Sequence, residues 1–201
     1  IEAHREALEQ GDTRRAEQLK KGLPAFTFSA TYQGRRKLEN LVTYNQVILL
    51  DIDKLAPESV VSLMEQVKNI PYTVFCNRSP GARGLKIGVR PVVMHALTVE
   101  NHRLTFQVVV SYYEARLGVL IDPSGKDVGR LCFVSYDPDM YINPLLFTEK
   151  GAEGLPLMEE NMESLSQGIS EATVSSDSPE ESKLLLKARR QTSARQKYVQ
   201  G

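Results

Sequence analysis

The chain has 201 residues, room for one well-cored domain with an appendage but not for two full-sized domains. Its composition, 41% hydrophobic and 25% charged, is that of an ordinary globular protein and argues against a disordered or fibrous chain. Twenty-five basic residues balance twenty-five acidic ones, so no global field draws in a polyanion, and any nucleic-acid surface must be a local patch.

Residues 1–21 have helical spacing. Ala3, Leu8, Ala16 and Leu19 are the apolar points, and Asp12 after Gly11 is placed to cap a second helix. Gly22 and Pro24 stop it. In residues 23–32, Phe26 and Phe28 alternate with Thr27 and Ser29, which predicts an extended segment. The turn Gly34-Arg35-Arg36-Lys37 then carries three cations. Residues 47–50, V-I-L-L, form the continuous apolar run of a strand buried on both faces, and the run ends in Asp51-Ile52-Asp53.

Pro57 opens a helix on which Val60, Leu63, Met64 and Val67 share one face, and Pro71 closes it. Residues 72–76 and 85–93 read as strands around the Gly/Pro-rich loop N-R-S-P-G-A-R-G. Thr98 is placed to cap a helix through Leu117, with Leu104, Val108, Val109, Tyr112 and Tyr113 inward and Gly118 past its end. Residues 119–121 deliver Asp122 at the end of a short apolar run. Residues 131–135 and 141–147 are further strand candidates, joined by the turn Asp137-Pro138-Asp139. The order strand–helix–strand–strand–helix–strand–strand predicts an α+β fold, a sheet covered by helices on one face.

The C-terminal part differs. Residues 156–182 hold Glu159, Glu160, Glu163, Glu171, Asp177, Glu180 and Glu181 with no Lys or Arg. Residues 183–201 hold Lys183, Lys187, Arg189, Arg190, Arg195 and Lys197 with no acid. Ser-rich residues 168–179 read as a flexible linker. The basic segment reads either as a phosphate-touching helix or as a solvated helix leading to another domain. The expected organisation is a helical segment at 1–25, a core at 26–150 and an extension at 151–201. No apolar run is long enough to span a bilayer, and I-E-A-H-R-E-A is not a signal peptide, so a cytoplasmic location is expected. Cys76 and Cys132, inside apolar runs and without zinc-site spacing, fit reduced structural thiols. A first residue of Ile suggests a piece of a longer protein.

Three stretches carry chemistry. Asp51 and Asp53 fall on one side of a strand with Cα atoms roughly 6.5–7 Å apart, close enough to repel unless a cation lies between them. In Ser79-Pro80-Gly81-Ala82-Arg83-Gly84-Leu85-Lys86 the glycines let backbone N–H groups approach an anion, and Ser79, Arg83 and Lys86 add donors. The stretch lacks Walker spacing, and a Gly-rich loop like this is by itself more often a hairpin turn; its weight comes from lying between the acidic elements. Asp122, followed by Arg130, supplies a third carboxylate, although Asp-Pro-Ser-Gly is also a good turn and Asp127, Asp137 and Asp139 are rivals. Three carboxylates suit Mg²⁺ or Mn²⁺ acting on a phosphoryl group, with basic residues clamping the phosphates.

These stretches occur in order with Leu23-Pro24-Ala25-Phe26-Thr27 before them and Phe133-Val134-Ser135-Tyr136-Asp137-Pro138 after them. The set resembles the VirE N-terminal-like domain of bacterial mobile-element and phage replication proteins over about residues 1–150. That domain is similar in turn to the archaeo-eukaryotic primase (primase-polymerase) superfamily. The resemblance implies a primase-polymerase-like antiparallel or mixed sheet flanked by helices, with helical N- and C-terminal extensions. It implies metal binding and catalysis by Asp51, Asp53 and Asp122. It also implies nucleotide contacts from Ser79, Gly81, Arg83, Gly84, Lys86 and Arg130. Its implied partners are nucleoside triphosphates, DNA or RNA, and a following helicase-type ATPase domain. Where many primases place a histidine this chain has Lys86, which binds phosphate as a point charge. His4, His95 and His102 fall outside the motifs.

The leading expectation is therefore a metal-dependent nucleotidyltransferase. The alternative is a catalytically degenerate DNA-binding replication module of the same fold. A haloacid-dehalogenase-type phosphatase also ends a strand in D-x-D, but its second Asp is followed by Gly-Thr or similar, whereas Lys54-Leu55 follow here.

Overall fold

The computed structural model describes residues 1–92, 98–148, 151 and 153–157, all within the compact unit Ile1–Met162. The expected linker at 168–179 and basic segment at 183–201 lie outside the described residues. The first half comprises α1 (Glu2–Glu9), α2 (Thr13–Lys21), β1 (Ala25–Thr27), β2 (Ala30–Tyr32), β3 (Leu41–Tyr44), β4 (Ile48–Ile52) and α3 (Pro57–Lys68). The second comprises β5 (Thr73–Arg78), β6 (Leu85–Val89), β7 (Pro91–Val92), α4 (His102–Leu117), β8 (Leu131–Phe133), β9 (Tyr141–Ile142) and β10 (Leu155–Pro156). The fold is mixed α+β, with one four-stranded sheet and three two-stranded ones among the described residues.

The four-stranded sheet has the order β4-β6-β5-β9, and each neighbouring pair is antiparallel. β4 and β5 are therefore parallel to each other, joined through α3, with β6 inserted between them as in a split βαβ unit. Side chains alternate along β4. Ile48, Leu50 and Ile52 face α3 and α4, where they meet Val60, Leu63, Met64, Val67, Phe106, Val109 and Tyr113. Leu49 faces the other way and packs with Phe75, Cys132 and Phe28. β1 and β8 pair antiparallel and bring Cys132 to this second face. Each fully buried aliphatic side chain contributes about 1.5–3 kcal/mol, so the helix-covered face is the main source of stability.

Several elements differ from their sequence expectation. The N-terminal helices break where Gly11-Asp12 predicts, and the Asp12 carboxylate accepts from the Arg15 N–H at 3.0 Å. Residues 23–32, by contrast, form two short strands in separate sheets, β1 with β8 and β2 with β3. Residues 119–121 are not a strand, and 141–147 is a strand only at β9 before Pro144 starts a 3-10 turn. α4 starts at His102 because Asn101 Oδ1 accepts from the Thr98 N–H at 2.9 Å and closes a preceding turn. Val109 and Tyr113 are buried as expected and Val108 and Tyr112 pack half-buried against the core, while the fully buried stripe also takes in the polar His102 and Thr105.

α4 ends on Gly118 at φ +66, and the chain returns along the free edge of β4. There Asp122 N–H donates to Asp51 C=O at 2.8 Å, and Pro123–Lys126 forms a 3-10 turn. Gly125 is the point of closest approach: a Cβ there would lie 2.5 Å from the Leu49 carbonyl oxygen and from the Phe106 ring. The Gly125→Ala variant should lower stability by about 1–3 kcal/mol through overpacking, read from urea midpoints. It should also lift the Asp122 turn off β4, read as faster amide hydrogen exchange at Asp122, whose N–H donates to the Asp51 carbonyl.

Candidate metal and phosphate site

Asp51 lies on the same face of β4 as Leu49, opposite the helices. It is 3% exposed, whereas Asp53, one residue beyond the strand, is solvent-exposed. Lys54 then adopts φ +60, a left-handed conformation that turns the chain away. Gly84 makes room for the acidic end: a Cβ on it would press on the Ile52 carbonyl and come within 3.3 Å of Asp53 Oδ1. Lys86 stands directly opposite Asp51 in the β4–β6 register, is itself buried, and donates from Nζ to Asp51 Oδ2. Arg130 Nη2 lies 3.6 Å from Asp51 Oδ2 and 3.6 Å from Asp122 Oδ2. One carboxylate oxygen from each of Asp51, Asp53 and Asp122 falls within 4.8 Å of the others.

The two inner carboxylates are tuned in opposite directions. Burial pushes Asp51 above its ordinary range, against the pull of Lys86 and Arg130. Its Oδ1 is buried and has no hydrogen-bond partner. For Asp122 burial acts upward too, but the Ser124 backbone N–H, donating at 2.8 Å, and Arg130 outweigh it and hold the carboxyl below its ordinary value. Ser124 Oγ is a second buried polar atom without a partner. A divalent cation fits this set: three hard oxygen donors within reach of one another, and a carboxylate oxygen of Asp51 without a hydrogen-bond partner.

A cleft of about 460 Å³ opens over Asp51 and Asp53, within the usual size range of small-molecule sites, and Asp122 stands beside it without lining it. Asp51, Asp53, Lys86 and Arg130 line it together with Lys20, Arg36, Ser124, Asp127, Leu131 and Phe133. Lys20 comes from the last turn of α2, and Arg36 from the cationic turn before β3, where it donates to the Gly129 carbonyl. Sequence reasoning noted the cations at 35–37 as a turn and passed over Lys20. Only their approach to residues some hundred positions away makes them site residues.

Ser79, Gly81, Arg83 and Gly84 do not line the cleft. The hairpin loop that holds them leans on α1: Arg5 Nε donates to the Pro80 carbonyl at 3.0 Å, and a Cβ on Gly81 would meet Leu8. Of the rival carboxylates, Asp137 and Asp139 are engaged by Arg78 at 3.1 and 2.8 Å. Asp127 stays at the cleft, its Oδ1 accepting from the Gly129 N–H at 2.9 Å.

Residues 18–142 match the family described as BT4734-like, N-terminal domain. The chain belongs to this family. The matched span contains every residue that lines the cleft, from Lys20 to Phe133, so the site is part of the family domain. No curated protein and no solved structure matches the chain. No helix among the described residues is long and apolar enough to cross a membrane.

One histidine proves to be a support of the site. His102 is 1% exposed beneath the Asp122 turn, with Nε2 3.4 Å from the Gly125 carbonyl and Nδ1 2.8 Å from the Tyr44 hydroxyl. A carbonyl can only accept, so Nε2 carries the proton and Nδ1 accepts from Tyr44. Burial lowers the His102 pKa from its ordinary 6.5, so the imidazole is held neutral. The unfolded chain then takes up a proton near pH 6.5 that the folded one resists, and stability is lost as pH falls below that value. Urea midpoints should fall between pH 7 and pH 5, with a smaller fall in His102→Gln.

Proposed function

We propose that this chain is a divalent-metal-dependent nucleotidyltransferase module, primase-polymerase-like, of a mobile-element or phage replication protein. The observation that carries this reading is the convergence of carboxylate oxygens of Asp51, Asp53 and Asp122 within 4.8 Å, beside a cleft that Asp51, Asp53, Lys86 and Arg130 line. The three carboxylates would hold Mg²⁺ or Mn²⁺, which when bound neutralises charge on phosphoryl oxygens and favours in-line displacement.

The chain's own residues supply the rest. Arg130, Lys20 and Arg36 present positive charge along the cleft wall and orient the phosphates of a nucleoside triphosphate. Lys86 compensates Asp51 from below. The reaction joins a primer 3′-hydroxyl, or that of an initiating nucleotide, to the α-phosphorus and releases pyrophosphate. DNA or RNA is the second substrate, and a helicase-type ATPase domain is the expected neighbour in the longer protein.

One observation favours a second reading, a degenerate DNA-binding module without chemistry. Lys86 already neutralises Asp51 Oδ2, the position a metal would share. Primer extension with Mn²⁺ separates the two: the first reading expects labelled product lost in Asp51→Ala, the second expects DNA binding with no product from either protein.

The lysine itself gives a sharper test. Removing one member of a buried ion pair leaves the other uncompensated, at about 3–5 kcal/mol. Lys86→Met should therefore melt well below wild type. If Asp51 binds metal, Mn²⁺ should raise the melting temperature of Lys86→Met more than that of wild type. An equal shift in both would remove Asp51 from the ligand set.

A further inference from the structure

The cleft is not charged throughout. β8 begins immediately after Arg130, and its side chains alternate, so Leu131 and Phe133 face the cleft while Cys132 faces the core. On β1 the residues opposite Leu131 and Phe133 are Thr27 and Ala25, both small, so neither covers the Phe133 ring. What lies over the ring is the Lys20 ammonium, 5.8 Å from its centroid. Lys20 is exposed, and a cation on a flexible four-carbon stem is readily displaced toward a phosphate. Leu131, at 36% exposure, extends the same apolar surface back to Arg130. The wall thus changes from cationic to apolar over three residues, roughly 10 Å of strand.

We propose that the Leu131–Phe133 wall seats the nucleobase of the bound nucleotide by stacking, while Arg130 and the acidic cluster hold its phosphates. This rests on the nucleotide reading above and names which part of the substrate each wall recognises. Phe133 and Leu131 carry no side-chain hydrogen-bonding groups, so the seat reads the flat face of a base and not its edge. All four bases are accepted, and purines, with more stacking area, bind more tightly than pyrimidines.

The test compares ATP, CTP and inorganic tripolyphosphate on the Mn²⁺-loaded full chain by calorimetry. The expected order is ATP tighter than CTP, and both tighter than tripolyphosphate, with ATP ahead of tripolyphosphate by about tenfold or more. Phe133→Ala should bring ATP down to the tripolyphosphate value and leave tripolyphosphate unchanged. Phe133→Trp should keep or increase the preference. Equal wild-type affinity for ATP and tripolyphosphate overturns the base seat and leaves the phosphate site standing, a result that needs no variant to fold. Loss of both ligands in a folded Phe133→Ala, confirmed by circular dichroism, also overturns it. Failure of tripolyphosphate itself to bind removes the nucleotide reading, and the base seat with it.

Discussion

Asp51 and Lys86 meet across adjacent strands with both side chains taken out of water, and the geometry of the cleft follows from that pairing. Burying two opposite charges costs several kcal/mol for each ion, and their attraction repays the cost only when partners are well placed. The β4–β6 register sets them directly opposite. A slip of one residue would turn Asp51 toward α3 and α4 and put Leu50 in the cleft, so the apolar face and the ionic pair enforce the same register. Burial has not been fully offset, since Asp51 retains an orphaned oxygen and a raised pKa. A core built for stability alone would use two apolar residues here.

β4 divides the molecule's tasks by alternation. Its even-numbered residues join the apolar layer with α3 and α4; of the odd-numbered ones, Leu49 packs with Phe75 and Cys132 and Asp51 lines the cleft. The walls come from elsewhere: α2, the turn before β3, the Asp122 turn and β8. These are short elements in small sheets, held by close backbone approach at Gly125 and Gly84 and by the Tyr44–His102–Gly125 chain of hydrogen bonds. The floor is rigid because it is core. The walls depend on a few contacts each.

The reading as a nucleotidyltransferase draws on this contrast of charge. Carboxylates gather at one point, cations ring them, and an apolar strip runs from Arg130 to Phe133. A triphosphate with its metal and base has the same sequence of needs: oxygen ligands, positive neighbours, then a flat apolar surface. Membership of the BT4734-like N-terminal domain family covers all the residues concerned. Lys86 within the pair is the feature that sets catalysis against simple binding.

Much of this was legible in the chain before it folded. The V-I-L-L run predicted a doubly buried strand, Asp12 a cap and Pro57 a helix start, because each signal is local or depends on a two-residue or 3.6-residue period, and Asp51, Asp53 and Asp122 do come together. The inward face of α4 was legible at Val109 and Tyr113 but not at His102 and Thr105, which are polar yet buried; for His102 a tertiary partner, the Gly125 carbonyl, makes that burial tolerable. Ser79, Gly81, Arg83 and Gly84 had the composition of a phosphate loop, but composition cannot say that α1 leans on them. Lys20 carried no signal of its own, and Arg36 and Phe133 were noted only as part of a cationic turn and of a motif. Local sequence thus determined the acidic strand end and the helix-covered sheet behind it. Tertiary structure alone decided which cations and which aromatic ring face that strand end, because those contacts join residues tens of positions apart that no short-range pattern connects.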